Sequence, residues 1–185
     1  GKPALYLIDR DGSHLTHIDL DLGSDIDATR FLSGVAISPN GSKIAYPTTA
    51  VHPEAPDVSG MQIHVAEIGP SGEVLSDTTL PSPLGAWDID PVFLPQGDRI
   101  VFERLSQTLI VAGVDGRTQL DLGVDADISS RLISPDGTRI LAWADQHPWF
   151  DAVDLATGER TTVGRDDPAF GIISSIDWQR LSLDP

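Results

Sequence analysis

Three segments of the chain share one grammar: an apolar run, a Pro-x-Gly turn and a second apolar run. They are residues 34–46 (GVAISPNGSKIAY), 91–102 (PVFLPQGDRIVF) and 131–142 (RLISPDGTRILA). Each turn has a physical basis. Pro39, Pro95 and Pro135 fix φ near −65°, and the glycine two residues on tolerates the positive φ that a tight hairpin demands. A second kind of hairpin stands in residues 5–12 (LYLIDRDG), 63–72 (IHVAEIGPSG), 109–116 (LIVAGVDG) and 150–158 (FDAVDLATG). Short polar–apolar strands follow, such as 14–18 (HLTHI) and 160–163 (RTTV). The unit is therefore four short antiparallel strands in about 40 to 45 residues, the period of a β-propeller blade. No segment sustains a 3.6-residue period, whereas alternation such as Gln62-Ile63-His64-Val65 marks half-buried strands.

The fold class is thus all-β, a propeller of four-stranded antiparallel blades, about four per chain. The chain divides into strands C and D of a split blade (4–20), blades over 32–80, 88–121 and 128–164, and a closing strand over 174–182. Lettering runs A to D from the central channel outward. A polar loop from Thr48 to Gly60, with Pro47, Pro53 and Pro56, is expected between the second and third strands of the first full blade. An unpaired closing strand is an exposed ladder edge, so some closure is expected. Three closures fit: a small ring from one chain, a ring completed by a second copy, or a fragment of a larger propeller.

The Ser-Pro-Asp/Asn-Gly-x-x-Ile pattern, as in Ser134-Pro135-Asp136-Gly137-Thr138-Arg139-Ile140, resembles the TolB-like (PD40, WD40-like) β-propeller repeat family. The end of the chain, Ser174 to Leu181 with Trp178, is similar to the end of such domains, and the likeness covers nearly the whole chain. Pro95-Gln96-Gly97-Asp98 departs from the pattern. The resemblance implies a propeller and an extracytoplasmic (periplasmic or cell-surface) setting in a bacterial protein. It implies no activity, because propellers host many functions.

Composition excludes several classes. The 185 residues suit one domain and hold no apolar run of the roughly 18 residues a membrane helix needs. No membrane insertion by this segment is expected. Gly1-Lys2-Pro3 lacks the basic-then-apolar pattern of a signal peptide. Cysteine is absent, which removes disulfides, thiol catalysis and Cys-ligated metals. With 12 Lys+Arg against 28 Asp+Glu the net charge is −16, so nucleic acid is repelled, while cations and basic partners are attracted.

The acidic residues are also placed suggestively. The stretches joining each D strand to the next A strand carry Asp25 and Asp27, Asp88 and Asp90, Asp125 and Asp127, and Asp166 and Asp167. Equivalent loops of stacked repeats share a face, so these pairs would ring one mouth of the channel. Asp25, Asp27, Asp88, Asp90, Asp125 and Asp127 are candidate ligands for Ca²⁺, which takes oxygen donors, although no EF-hand spacing is present. Asp166, Asp167, Trp149 and His147 are candidates for partner contact. Against both stands the plain reading that Asp is a favoured loop residue. The five histidines are scattered, and His14 and His17 fall on opposite strand faces. Trp87, Trp143 and Trp178 are expected in packing between blades. Neither a Gly-x-Ser-x-Gly elbow nor a phosphate-binding glycine loop occurs.

The sequence therefore points to a non-catalytic binding or sensor module for a protein partner or small ligand, acting at an acidic rim. An accessory propeller of a serine peptidase or other hydrolase, and a purely structural assembly domain, remain open beside it.

Overall fold

A computed structural model describes residues 5–8, 11–20, 34–50, 55, 57–105, 108–123, 132–143 and 150–163. The strands there are β1 (Leu5–Leu7), β2 (Thr16–Ile18), β3 (Ala36–Ile37), β4 (Lys43–Ala50), β5 (Gly60–Ile68), β6 (Val74–Thr79) and β7 (Asp88–Phe93). They continue as β8 (Arg99–Arg104), β9 (Thr108–Gly113), β10 (Gln119–Asp121), β11 (Leu132–Ile133), β12 (Arg139–Trp143), β13 (Phe150–Asp154) and β14 (Arg160–Val163). Among the described residues β1 and β2 pair only with each other. The other strands form three four-stranded sheets, β3-β4-β5-β6, β7-β8-β9-β10 and β11-β12-β13-β14, each antiparallel and in chain order. The molecule is all-β, with the consecutive meandering blades of a propeller. The closing strand expected over 174–182 lies outside the described residues, and no helix among them is long and apolar enough to cross a membrane.

The core is a series of layers between successive sheets, for a reason visible in the strands. In β8, Ile100 and Phe102 point one way and Val101 the other, yet all three are fully buried. Ile100 and Phe102 pack with Ala45, Ile63, Val65 and Leu80 of the preceding blade, together with Phe93, Ile110 and Ala112. Val101 packs with Leu94, Leu109, Val111 and Leu122, and with Ile140, Ala142, Val153 and Leu155 of the following blade. A strand apolar on both parities must be covered on both faces, and stacked blades do that. Ile18 of the two-stranded sheet joins Ile44, Tyr46, Ala66 and Ile68 in a third layer.

Two sets of contacts lock neighbouring blades, the first between successive A–B turns and the second between the start of a D strand and the connection that leaves the D strand of the blade before. Gly137, in the A–B turn of the third blade at φ 70°, lies so close to Pro95 and Gln96 of the preceding turn that a Cβ would come within 2.8 Å of either. Gln96 also donates from its amide to the Asp136 carbonyl at 2.9 Å. Further out, Gln119 donates to the Pro81 carbonyl at 2.7 Å, and Arg160 repeats the contact one blade on, donating to the Gly123 carbonyl.

One boundary differs from expectation. The B–C ladder of the first full blade continues through Thr48↔Gln62 and Thr49↔Met61 to Ala50↔Gly60, so the polar connection begins after Ala50 rather than at Thr48. Pro47 is tolerated inside β4 because the β3 ladder ends at Ala45, leaving no strand hydrogen bond for its missing N–H to make.

Candidate functional site

At the end of the sheets opposite the A–B turns, the segment from Leu80 to Trp87 carries the chain from β6 to β7. It is tied down along its length. Leu80 N–H donates to the Ile63 carbonyl (2.8 Å), Met61 N–H to the Ala86 carbonyl (2.8 Å), and Leu105 N–H to the Trp87 carbonyl (2.8 Å). Pro83 to Ala86 closes a turn (3.0 Å) with Gly85 at φ 74°, the position where a type II turn needs glycine. Gly60 is required by the same contact, since a Cβ there would lie 2.6 Å from the Ala86 carbonyl oxygen.

The connection and the adjacent end of β8 line a groove of about 650 Å³, formed by Pro83, Leu84, Gly85, Ala86, Trp87, Arg104 and Leu105. Leu84 is 58% exposed and Leu105 42% exposed, although the backbone beneath them is fixed. Trp87 is half-buried and lines this groove rather than lying wholly between blades, which corrects the packing role expected for it.

Under the groove the ladder departs from regularity. Asp88 faces Arg104 and Ile89 faces Glu103, but the next pair is Val92↔Val101, so Asp90 and Pro91 form a bulge. Pro91 has no N–H to give the ladder, and Asp90 takes a φ of 50°. Asp88 is consequently directed inward. It is 1% exposed, and both its oxygens are bound by one guanidinium, Nε to Oδ1 at 2.7 Å and Nη2 to Oδ2 at 2.8 Å. Asp90 approaches Gly34 so closely that a Cβ on that glycine would lie 2.5 Å from the carboxylate oxygen.

The expected acidic pair Asp88 and Asp90 therefore lies inside β7, not in the connection preceding it, and its two members are separated by burial. Both oxygens of Asp88 are held by Arg104, which leaves that carboxylate with no open side for a cation. Asp25, Asp27, Asp125, Asp127, Asp166, Asp167, His147 and Trp149 lie outside the described residues. Among the described residues no three His, Asp or Glu side chains converge as a metal cage.

Register also assembles a polar network invisible in the sequence. Tyr46 donates its hydroxyl to Asp77 at 2.7 Å, His64 Nδ1 lies 3.2 Å from the same carboxylate, and the Gln62 amide reaches His64 Nε2 at 3.3 Å. These residues come from β4, β5 and β6, and only cross-strand pairing makes them neighbours. The groove itself was missed because its residues are unremarkable singly; the signal available was Pro83-Leu84-Gly85, an apolar turn in an otherwise polar set of loops.

Neither the profile of any known protein family nor the sequence of any curated protein matches the chain. Solved structures do match it in fold. An oligogalacturonate lyase in complex with manganese superposes with a TM-score of 0.56 at 14% identity, covering 86% of this chain and 49% of that one. A TolB-type protein of Agrobacterium tumefaciens gives 0.52 at 19% identity, over 86% of this chain and 55% of that one. The acylaminoacyl peptidase of Pyrococcus horikoshii gives 0.52 at 17% identity, over 72% of this chain and 24% of that one. These likenesses establish a propeller, and the chain spans about half the length of the first and second of these structures or less of the third.

Proposed function

We propose that this chain is a non-catalytic binding module, a TolB-like propeller within a larger bacterial protein exposed outside the cytoplasm, which engages a partner at the rim formed by the D-to-A connections. One observation carries this reading. The Leu80–Trp87 connection is rigidly hydrogen-bonded, yet it presents Leu84, Leu105 and part of Trp87 to solvent as one contiguous lining. Exposed apolar groups on a fixed scaffold are the usual form of a recognition surface. The extracytoplasmic setting rests on the repeat resemblance and on likeness in fold to a TolB-type protein.

Site-specific photo-cross-linking in the full-length protein, expressed in its own cells, tests both parts. A cross-linker at Leu84 should capture a discrete partner, and the same group at Gln96, at the opposite end of the sheets, should not. Equal capture from both positions, or a full-length protein retained in the cytoplasm, overturns the proposal.

A further inference from the structure

The stack of sheets is covered at one end and open at the other. In the β1–β2 pair, Leu5 and Leu7 turn inward and pack with Ile18 against the first full blade. The alternate positions turn outward. Register sets Tyr6 against His17, with their rings 5.1 Å apart, and the next opposed positions are Ile8 and Leu15. Tyr6, Ile8 and Leu15 are each more than half exposed, and His17 is exposed beside them. At the far end of the stack, Leu141, Phe150 and Ala152 alternate with the third-blade residues that pack on the second blade, and all three are buried. Each four-stranded sheet thus has apolar residues buried on both faces, whereas the two-stranded sheet leaves three large apolar side chains in water on one. The end unit of a stacked array ordinarily turns a polar face to solvent.

We infer that this outer face of β1 and β2 is a contact between two copies of the chain, which meet sheet to sheet about a two-fold axis. Two observations select a second copy. The far end of the stack is already covered, so a head-to-tail contact has no second apolar face to use. A self-complementary contact covers both open faces at once. Charge points the same way. The outward pairs Tyr6–His17 and Ile8–Leu15 hold no carboxylate in a chain of net charge −16, and the exposed Asp11 and Asp19 stand at the margins. Two such acidic chains repel over most of their surface and approach closely where carboxylates are missing. Three apolar side chains per copy fall well short of the roughly 800 Å² per partner of a standard interface, so the dimer dissociates in roughly the micromolar range. The contact is independent of the groove at Leu84 and of the partner-binding reading above.

Sedimentation velocity of the full-length protein, from about 1 to about 300 µM, tests the inference. The protein should pass from monomer to dimer and no further. The dimer should tighten severalfold as salt rises from about 50 to about 500 mM, because screening relieves repulsion between the acidic copies. Ile8→Glu and Leu15→Glu, made singly, each place a carboxylate in the contact and should weaken dimerisation at least about tenfold. Their melting temperatures should stay within about 2 °C, because both side chains are exposed in the monomer. If one of them unfolds the protein, the other decides. Leu84→Glu, at a comparably exposed leucine in the groove, should leave dimerisation unchanged. A protein that stays monomeric throughout overturns the inference, as expected if a further blade or another protein covers the face. Growth beyond a dimer overturns it too, as does a dimer indifferent to both glutamates at positions 8 and 15 or dissolved equally by Leu84→Glu.

Discussion

At the scale of single residues, the A–B turns show the same geometry built from two chemistries. Asn40 accepts from the Ser38 hydroxyl (2.8 Å), the Ser42 N–H (3.1 Å) and the Ser42 hydroxyl (2.9 Å). Asp136 accepts the equivalent three from the Ser134 hydroxyl (2.6 Å), the Thr138 N–H (3.0 Å) and the Thr138 hydroxyl (2.8 Å). The Ser134 hydroxyl, followed by the Thr138 donors, lowers the Asp136 carboxyl from its ordinary 3.8 to about 2. A folded value below the unfolded one stabilises the fold above the unfolded pKa, and that stabilisation fades as pH falls from about 4 toward about 2. Asn40 offers no such titration. Asp136→Asn should therefore keep the turn while flattening the loss of melting temperature across that acid range, whereas Asp136→Ala should lower it at every pH. His64 makes a separate prediction. With the Gln62 amide donating to Nε2, the ring proton belongs on Nδ1, where it is given to Asp77. The ¹⁵N shifts of the neutral ring should report the Nδ1–H tautomer, and Asp77→Ala should shift them toward the Nε2–H form.

At the scale of elements, the bulge in β7 links sequence to energetics. Pro91 interrupts the ladder, and the residue offset turns Asp88 inward to a carboxylate–guanidinium pair. Arg104→Ala leaves a buried carboxylate without its cation and should cost about 3 kcal/mol in urea unfolding. Replacing both members with apolar residues of similar volume should cost much less, since no charge is then stranded. A double variant as unstable as the single one would show that the pair is not the source of the loss. Between elements, Gly137 decides how the third blade seats on the second. Gly137→Ala meets Pro95 and Gln96 and forces a positive φ on alanine, so a loss of about 1 to 3 kcal/mol is expected. The departure of Pro95-Gln96-Gly97-Asp98 from the repeat finds its reason here. Gln96 is too long to close its own turn as Asn40 and Asp136 do, and it reaches the next blade instead.

At the scale of the whole molecule, the blades are stacked layers that touch chiefly their sequence neighbours, so stability is distributed along the chain. The central blade has an apolar layer on each face. The β1–β2 pair joins the rest through the smaller layer around Ile18. Amide hydrogen exchange should therefore be slowest in β8 and β9 and fastest in β1 and β2. Comparable protection in both regions would mean that the blades open as a single unit.

The sequence by itself determined the strands, the turns and their stacking. Apolar residues on both parities of a short strand require cover on both faces, and Pro-x-Gly turns at a fixed period return the chain into the next strand. Those are properties of φ, ψ and side-chain direction within a few residues, and they are written locally. The tertiary structure alone decided where Asp88 and Asp90 go. Asp88 and Asp90, adjacent in pattern, were separated by a bulge and by an arginine sixteen residues away. It also decided that Trp87 and Leu84 line a groove, because Met61 and Leu105, from two different blades, hold the connection that carries them. A site of that kind depends on contacts between distant segments, and no pattern along the chain records them.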